Sequence, residues 1–128
     1  MAQRNEFIEY LLELLQGVGE GAASVRARAM FGGFGLYFYD TSSRDSFMFA
    51  LVADDVLYFK TDEYTQAAFE ERGLEAFTYE RNGKRIIMSY SEAPGEVLDD
   101  PDEMTVWANM TIDAARRSIV KKRVRKTP

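Results

Sequence analysis

Carboxylates stand in two dense groups in this sequence, at Asp54-Asp55 and at Asp99-Asp100-Pro101-Asp102-Glu103. A pair of carboxylates can share acid and base work on a glycosidic bond, but their separation is set by the fold and not by distance along the chain. A calcium loop of the EF-hand type needs alternating acids, a central Gly and a closing Glu, and neither cluster has that spacing. Turn and helix-capping duties account for these acids more simply. The chain contains no Cys and no His. Thiol and imidazole nucleophiles, the commonest general base, and zinc sites built on sulfur or nitrogen are therefore absent. A hydrolase pairing Ser with His is excluded as well. Carboxylate, Lys, Tyr or Ser–Lys chemistry stays open. The expectation is a protein that is not an enzyme and uses no metal or cofactor.

The run Phe31-Gly32-Gly33-Phe34-Gly35 has the glycine density of a phosphate loop. It lacks the terminal Lys-Ser/Thr of a P-loop and the GxGxxG spacing before a helix. A turn or bulge between strands is the better reading, with Gly32 and Gly33 also able to admit a partner's backbone between Phe31 and Phe34.

Charge is unevenly spread. Seven of the 16 basic residues fall in the last 13 positions, and no acid follows Asp113. Residues 1–115 carry nine basic and 21 acidic side chains, a net of −12. Such a body repels nucleic acid. If the chain touches nucleic acid, the contact falls to Lys121, Lys122, Arg123, Arg125 and Lys126, and it is weak and salt-sensitive. A terminal basic run also suits the negative end of a helix dipole, which needs no partner.

These residues must be placed by elements that the pattern predicts. The 128 residues fit one domain. Residues 4–16 read as an amphipathic helix with Phe7, Ile8, Leu11, Leu12 and Leu15 on one face and Asn5 as its cap. Short strands are predicted over 26–31, 34–39, 46–53 and 56–60. A second helix follows, capped by Thr61, with Tyr64, Ala67, Ala68 and Glu71 along one side. Residues 76–81 and 84–90 flank Asn82-Gly83, a strong signal for a type I′ hairpin. Asp100 followed by Pro101 marks a helix start. That helix is expected to run to about Val120 with Met104, Trp107, Ala108, Thr111 and Ala115 inward, and Trp107 buried against the sheet. The fold class is α+β: two layers, an antiparallel sheet with helices on one face, in the order α, three or four β, α, two β, α. Residues 1–120 form the domain and 121–128 a basic tail expected to be flexible.

Successive residues of a strand point to opposite faces. Pairs such as Tyr37/Phe38 and Tyr58/Phe59 must therefore divide, leaving rings on the side away from the helices. Exposed apolar patches of this kind mark contact sites. Tyr37 and Tyr58 join Phe31, Gly32, Gly33 and Phe34 as the candidate interaction residues, and a second copy of the chain is one candidate partner. No apolar run is long enough for a membrane span, and the first residues lack a secretory signal, so the cytoplasm is the expected location.

The segments 28–37 (RAMFGGFGLY) and 49–62 (FALVADDVLYFKTD), then Ser89-Tyr90 with Pro94, then Asp100 to Ala115 around Trp107-Ala108, resemble the N-terminal domain of the TfoX/Sxy family. The resemblance spans about residues 5–118. It implies a two-layer fold similar to type III secretion chaperones, and a regulator of natural competence acting with a transcription factor, the cyclic-AMP receptor protein. Full-length members of the family have a second, helical domain, so this chain resembles a stand-alone first domain. The resemblance carries no catalytic residues. Three readings follow: an interaction module and accessory regulator of transcription; a weak nucleic-acid binder through the basic end; or a small-ligand binder or enzyme of another kind.

Overall fold

The structure is a computed structural model that describes residues 6–18, 24–30, 32–40 and 44–126. Among the described residues the order is α1 (Glu6–Leu14), β1 (Ser24–Met30), β2 (Gly33–Asp40), β3 (Asp45–Ala53), β4 (Val56–Lys60), α2 (Gln66–Glu70), β5 (Ala76–Arg81), β6 (Lys84–Glu92) and α3 (Pro101–Lys126), with a 3₁₀ turn at Gly95–Leu98. The strands form one antiparallel sheet in the order β1-β2-β3-β4-β6-β5. This is the α+β class expected from the strand and helix pattern.

The turns explain the strand order. Asp54 and Asp55 both take positive φ, 51° and 59°, and so do Asn82 and Gly83, 53° and 76°. Two successive left-handed residues make the type I′ turn whose twist matches a tight hairpin. Gly32, at φ 70°, turns β1 into β2. Gly33 has a different role: a Cβ there would lie 2.0 Å from the Val52 carbonyl oxygen. Its missing side chain lets β2 and β3 close up.

One face of the sheet is covered. Leu36 and Phe38 of β2, Phe47 and Val52 of β3, and Leu57 and Phe59 of β4 form a single core. Ile8, Leu11 and Leu15 from the α1 region, Phe69 of α2, and Met104, Ala108 and Ile112 of α3 close over it. The register of β2 against β3 slips between Leu36, opposite Ala50, and Tyr37, opposite Met48. Phe49 is the extra residue of this bulge, and both Phe49 and Ala50 are fully buried.

Several local expectations are corrected. Thr61 does not cap α2. Asp62 accepts the Tyr64 and Thr65 amides at 3.0 and 3.2 Å, and its own amide donates to Thr65 Oγ1 at 3.0 Å. This reciprocal box satisfies the amides one residue later and delays the helix to Gln66. The helix then turns Phe69 inward, while Tyr64 is 73% exposed and Ala67 and Glu71 face outward. Trp107 is half-buried and meets Phe69 edge-on, centroids 5.2 Å apart, with the Arg72 guanidinium 5.6 Å from its ring centre. It packs against the core at the α2–α3 junction and is only partly buried there, where full burial is expected from the sequence. α3 continues to Lys126 and does not stop near Val120. Lys and Arg are good helix formers and favour the C-terminal end of the dipole, and Arg123 is tied back to Asp45 at 3.1 Å. The predicted cap Asn5 lies outside the described residues.

Candidate interaction face and basic notch

Among the described residues the other face of the sheet carries no helix. In-register pairs of an antiparallel sheet share a face, so Arg26 and Arg28 of β1 lie with Tyr37 and Tyr39 of β2. Each guanidinium covers a ring, Arg26 over Tyr39 at 4.8 Å and Arg28 over Tyr37 at 5.2 Å. Further across, Tyr58 of β4 meets Phe77 of β5 edge-on at 4.9 Å, and Phe77 stacks with Tyr79 at 6.4 Å. Leu51 and Tyr90 are buried on this face by their neighbours alone. Burial, with Tyr37 nearby, holds the Tyr90 phenol well above the usual range. Tyr58 is raised too, by burial and then by Glu92.

The residues singled out from the sequence divide. Tyr37 and Tyr58 stand on this uncovered face. Gly32 is exposed in the β1–β2 turn, and the open side of Gly33 is already occupied by the Val52 carbonyl. Phe34 packs against the core on the helix side. Phe31 lies outside the described residues. Along α3, Arg123 is paired with Asp45, while Lys121 and Lys122 stand exposed. Arg125 and Lys126 fall in the last turn, their side chains outside the description.

A second feature was not singled out from sequence. β4 has five residues, and its neighbours β3 and β6 have nine each. β4 ends at Lys60, opposite Tyr90, so no described strand bridges the start of β3 to the first residues of β6. A notch of about 560 Å³ opens there, with Phe47 and Met48 on one wall and Met88, Ser89 and Tyr90 on the other. α3 closes its back with Ala115, Ser118 and Ile119. A neighbouring groove of about 660 Å³ runs between the Thr61–Tyr64 turn and α3. Lys60, Ser89, Ser118 and Lys121 line both.

Lys60 sits at the junction. Its ammonium donates to the Ser89 hydroxyl and lies 5.6 Å from the Tyr90 ring centre. Burial, and then the nearby Lys122, hold its pKa below the ordinary lysine value, with Asp62 pulling the other way. The Asp62 carboxylate is already bidentate to Arg117, at 2.6 and 3.1 Å. That bond is the first cause of its lowered pKa. The sequence signal for this site was a lysine closing an apolar strand, VLYFK, which reads equally well as a solvated strand end.

The geometry defines a class: a small α+β domain roofed by helices on one side, with an aromatic sheet face and a basic notch on the other. The chain matches the family model of the TfoX N-terminal domain over residues 13–115, and it belongs to that family. No protein with a curated description matches it. No described helix is long and apolar enough to cross a membrane.

Proposed function

We propose that this protein works without catalysis, as a module that contacts another protein through the uncovered face of its sheet. One observation carries the reading: Tyr37, Tyr39, Tyr58 and Phe77 stand on a face that no described helix covers, with two arginines laid over the first two rings. Tyr, Phe and Arg are the residues enriched where proteins meet, because they bring large contact area with little conformational freedom to lose. Membership of the TfoX N-terminal family supports the finer role of an accessory regulator of transcription. The cyclic-AMP receptor protein is then the first partner to try, and a second copy of the chain the next.

Binding through the basic end is less well supported. Arg116, Arg117 and Arg123 are engaged by Asp40, Asp113, Asp62 and Asp45, so much of that charge is neutralised within the fold.

The test is analytical ultracentrifugation of the chain alone and with the cyclic-AMP receptor protein, repeated with Tyr37→Ser/Tyr58→Ser. A complex or dimer formed by the native chain and weakened by about 2 kcal/mol or more in the variant supports the reading. A native chain that stays monomeric and ignores the receptor protein overturns it, and so does an association that the paired substitution leaves unchanged.

A further inference from the structure

We propose that the notch where β4 ends is a binding site for a small organic anion, one phosphate or carboxylate held by Lys60, Lys121 and Lys122 with an apolar body against Met48 and Met88. The inference is independent of the interaction face and uses none of the residues altered to test it.

The charge arrangement suits an anion. Among the described residues, the three arginines of α3 in this region each have a carboxylate partner. Among the described residues Lys60, Lys121 and Lys122 form no ion pair, although all three line the same cavity, and the Asp62 carboxylate that attracts Lys60 is already held by Arg117. Cations brought together without counter-charge repel one another, and the cost grows where one is withdrawn from water. Lys60 is withdrawn in this way: burial, and then repulsion from Lys122, hold its pKa below the ordinary lysine value against the pull of Asp62. An anion between them removes the repulsion.

The neutral groups fit the same ligand. Ser89 accepts from Lys60, which leaves its own hydroxyl proton for an acceptor in the cavity. The methionine walls adapt to a flat or irregular apolar shape. The volume, about 560 Å³, lies within the range typical of small-molecule sites, which runs from roughly 300 to 1,000 Å³. A polyanion is a poorer fit, because the body of the protein carries −12 over residues 1–115 and repels a long run of phosphates.

Isothermal titration of the full chain at low salt, with phenyl phosphate and with phenylacetate, tests this and separates the two head groups. Expected are saturable one-site binding of at least one of them and binding of phenol at least about tenfold weaker. Lys60→Met and Lys122→Met should each weaken binding by about tenfold or more. The thermal midpoint of Lys60→Met should stay equal to or above that of the native chain, since a repelled, half-buried charge is gone. The proposal is overturned by absence of saturable binding of either anion, by phenol binding as well as they do, or by affinity indifferent to Lys60. It is also overturned by single-stranded DNA binding at the same lysines in preference to both.

Discussion

The hydroxyl of Thr111 on α3 donates to the Lys60 carbonyl at 2.6 Å and shares its proton with the Phe49 carbonyl at 3.1 Å. One carbonyl belongs to the bulge of β3 and the other to the last residue of β4. Each lies where the ladder between these strands breaks off. A single buried side chain thus satisfies both, and it fixes the helix to the sheet at the edge of the notch.

Thr111→Val keeps the shape and removes the donor. It leaves two buried carbonyls without that partner, so we expect a loss of about 1–3 kcal/mol in urea unfolding. Thr111→Ser retains the proton and should recover most of it. Equal losses for Val and Ser would show that the methyl group matters and the hydrogen bond does not.

Gly33 and Gly35 lie two residues apart on one strand, yet they should respond differently to alanine. A Cβ at Gly33 strikes the Val52 backbone, whereas one at Gly35 strikes the sulfur atoms of Met30 and Met48, the mobile ends of flexible side chains. Gly33→Ala should cost about 2–3 kcal/mol, and Gly35→Ala less than about 1 kcal/mol. Thermal denaturation of the two variants side by side would expose an error in the β2–β3 register.

Phe69 is fully buried and Trp107 only partly so. Phe69→Ala should therefore cost about 3–5 kcal/mol and Trp107→Ala less. The edge-on contact between them predicts a coupling of about 0.5–1.5 kcal/mol in a double-mutant cycle. Strict additivity would mean that the rings do not meet in solution.

Asp62 links stability to acid. Its hydrogen bonds from Arg117 lower the folded-state pKa, so the ionised carboxylate stabilises the fold above the usual carboxylate range. That contribution is lost as the pH falls through the lowered value, and the decline should begin below about pH 5. Asp62→Asn keeps an acceptor for the turn amides but cannot titrate. At neutral pH it should cost about 0.5–1 kcal/mol. Urea midpoints across the acid range should fall less steeply for the variant, and parallel curves would assign the acid sensitivity to other carboxylates.

What could be read from the sequence was local. Asn82-Gly83 and Asp100-Pro101 announce a turn and a helix start because the residues themselves carry the required dihedral angles and caps. The division of Tyr37 from Phe38 and of Tyr58 from Phe59 followed from strand alternation. Thr61 and Asp62 both make good caps, and hydrogen bonds between Asp62 and Thr65 decide where the second helix starts. Periodicity shows which side of a helix is apolar and not which neighbour it meets, so the contact of Trp107 with Phe69 is not legible in it. The notch was hidden for a more general reason. It exists because β4 is shorter than β3 and β6, and β6 becomes its neighbour through a pairing across some thirty residues of chain.

The short β4 also divides the sheet mechanically. On one side, β2 pairs with β1 and β3 along nearly its whole length; on the other, β6 is joined to β4 at Tyr58, Phe59 and Lys60. Beyond that seam the β5–β6 arm reaches out with little burial on either surface, and Ile87 is 70% exposed. Amide protons near the tip of this arm should exchange with deuterium well before those of β2 and β3, so that the arm opens as a separate flap while the rest of the domain stays folded.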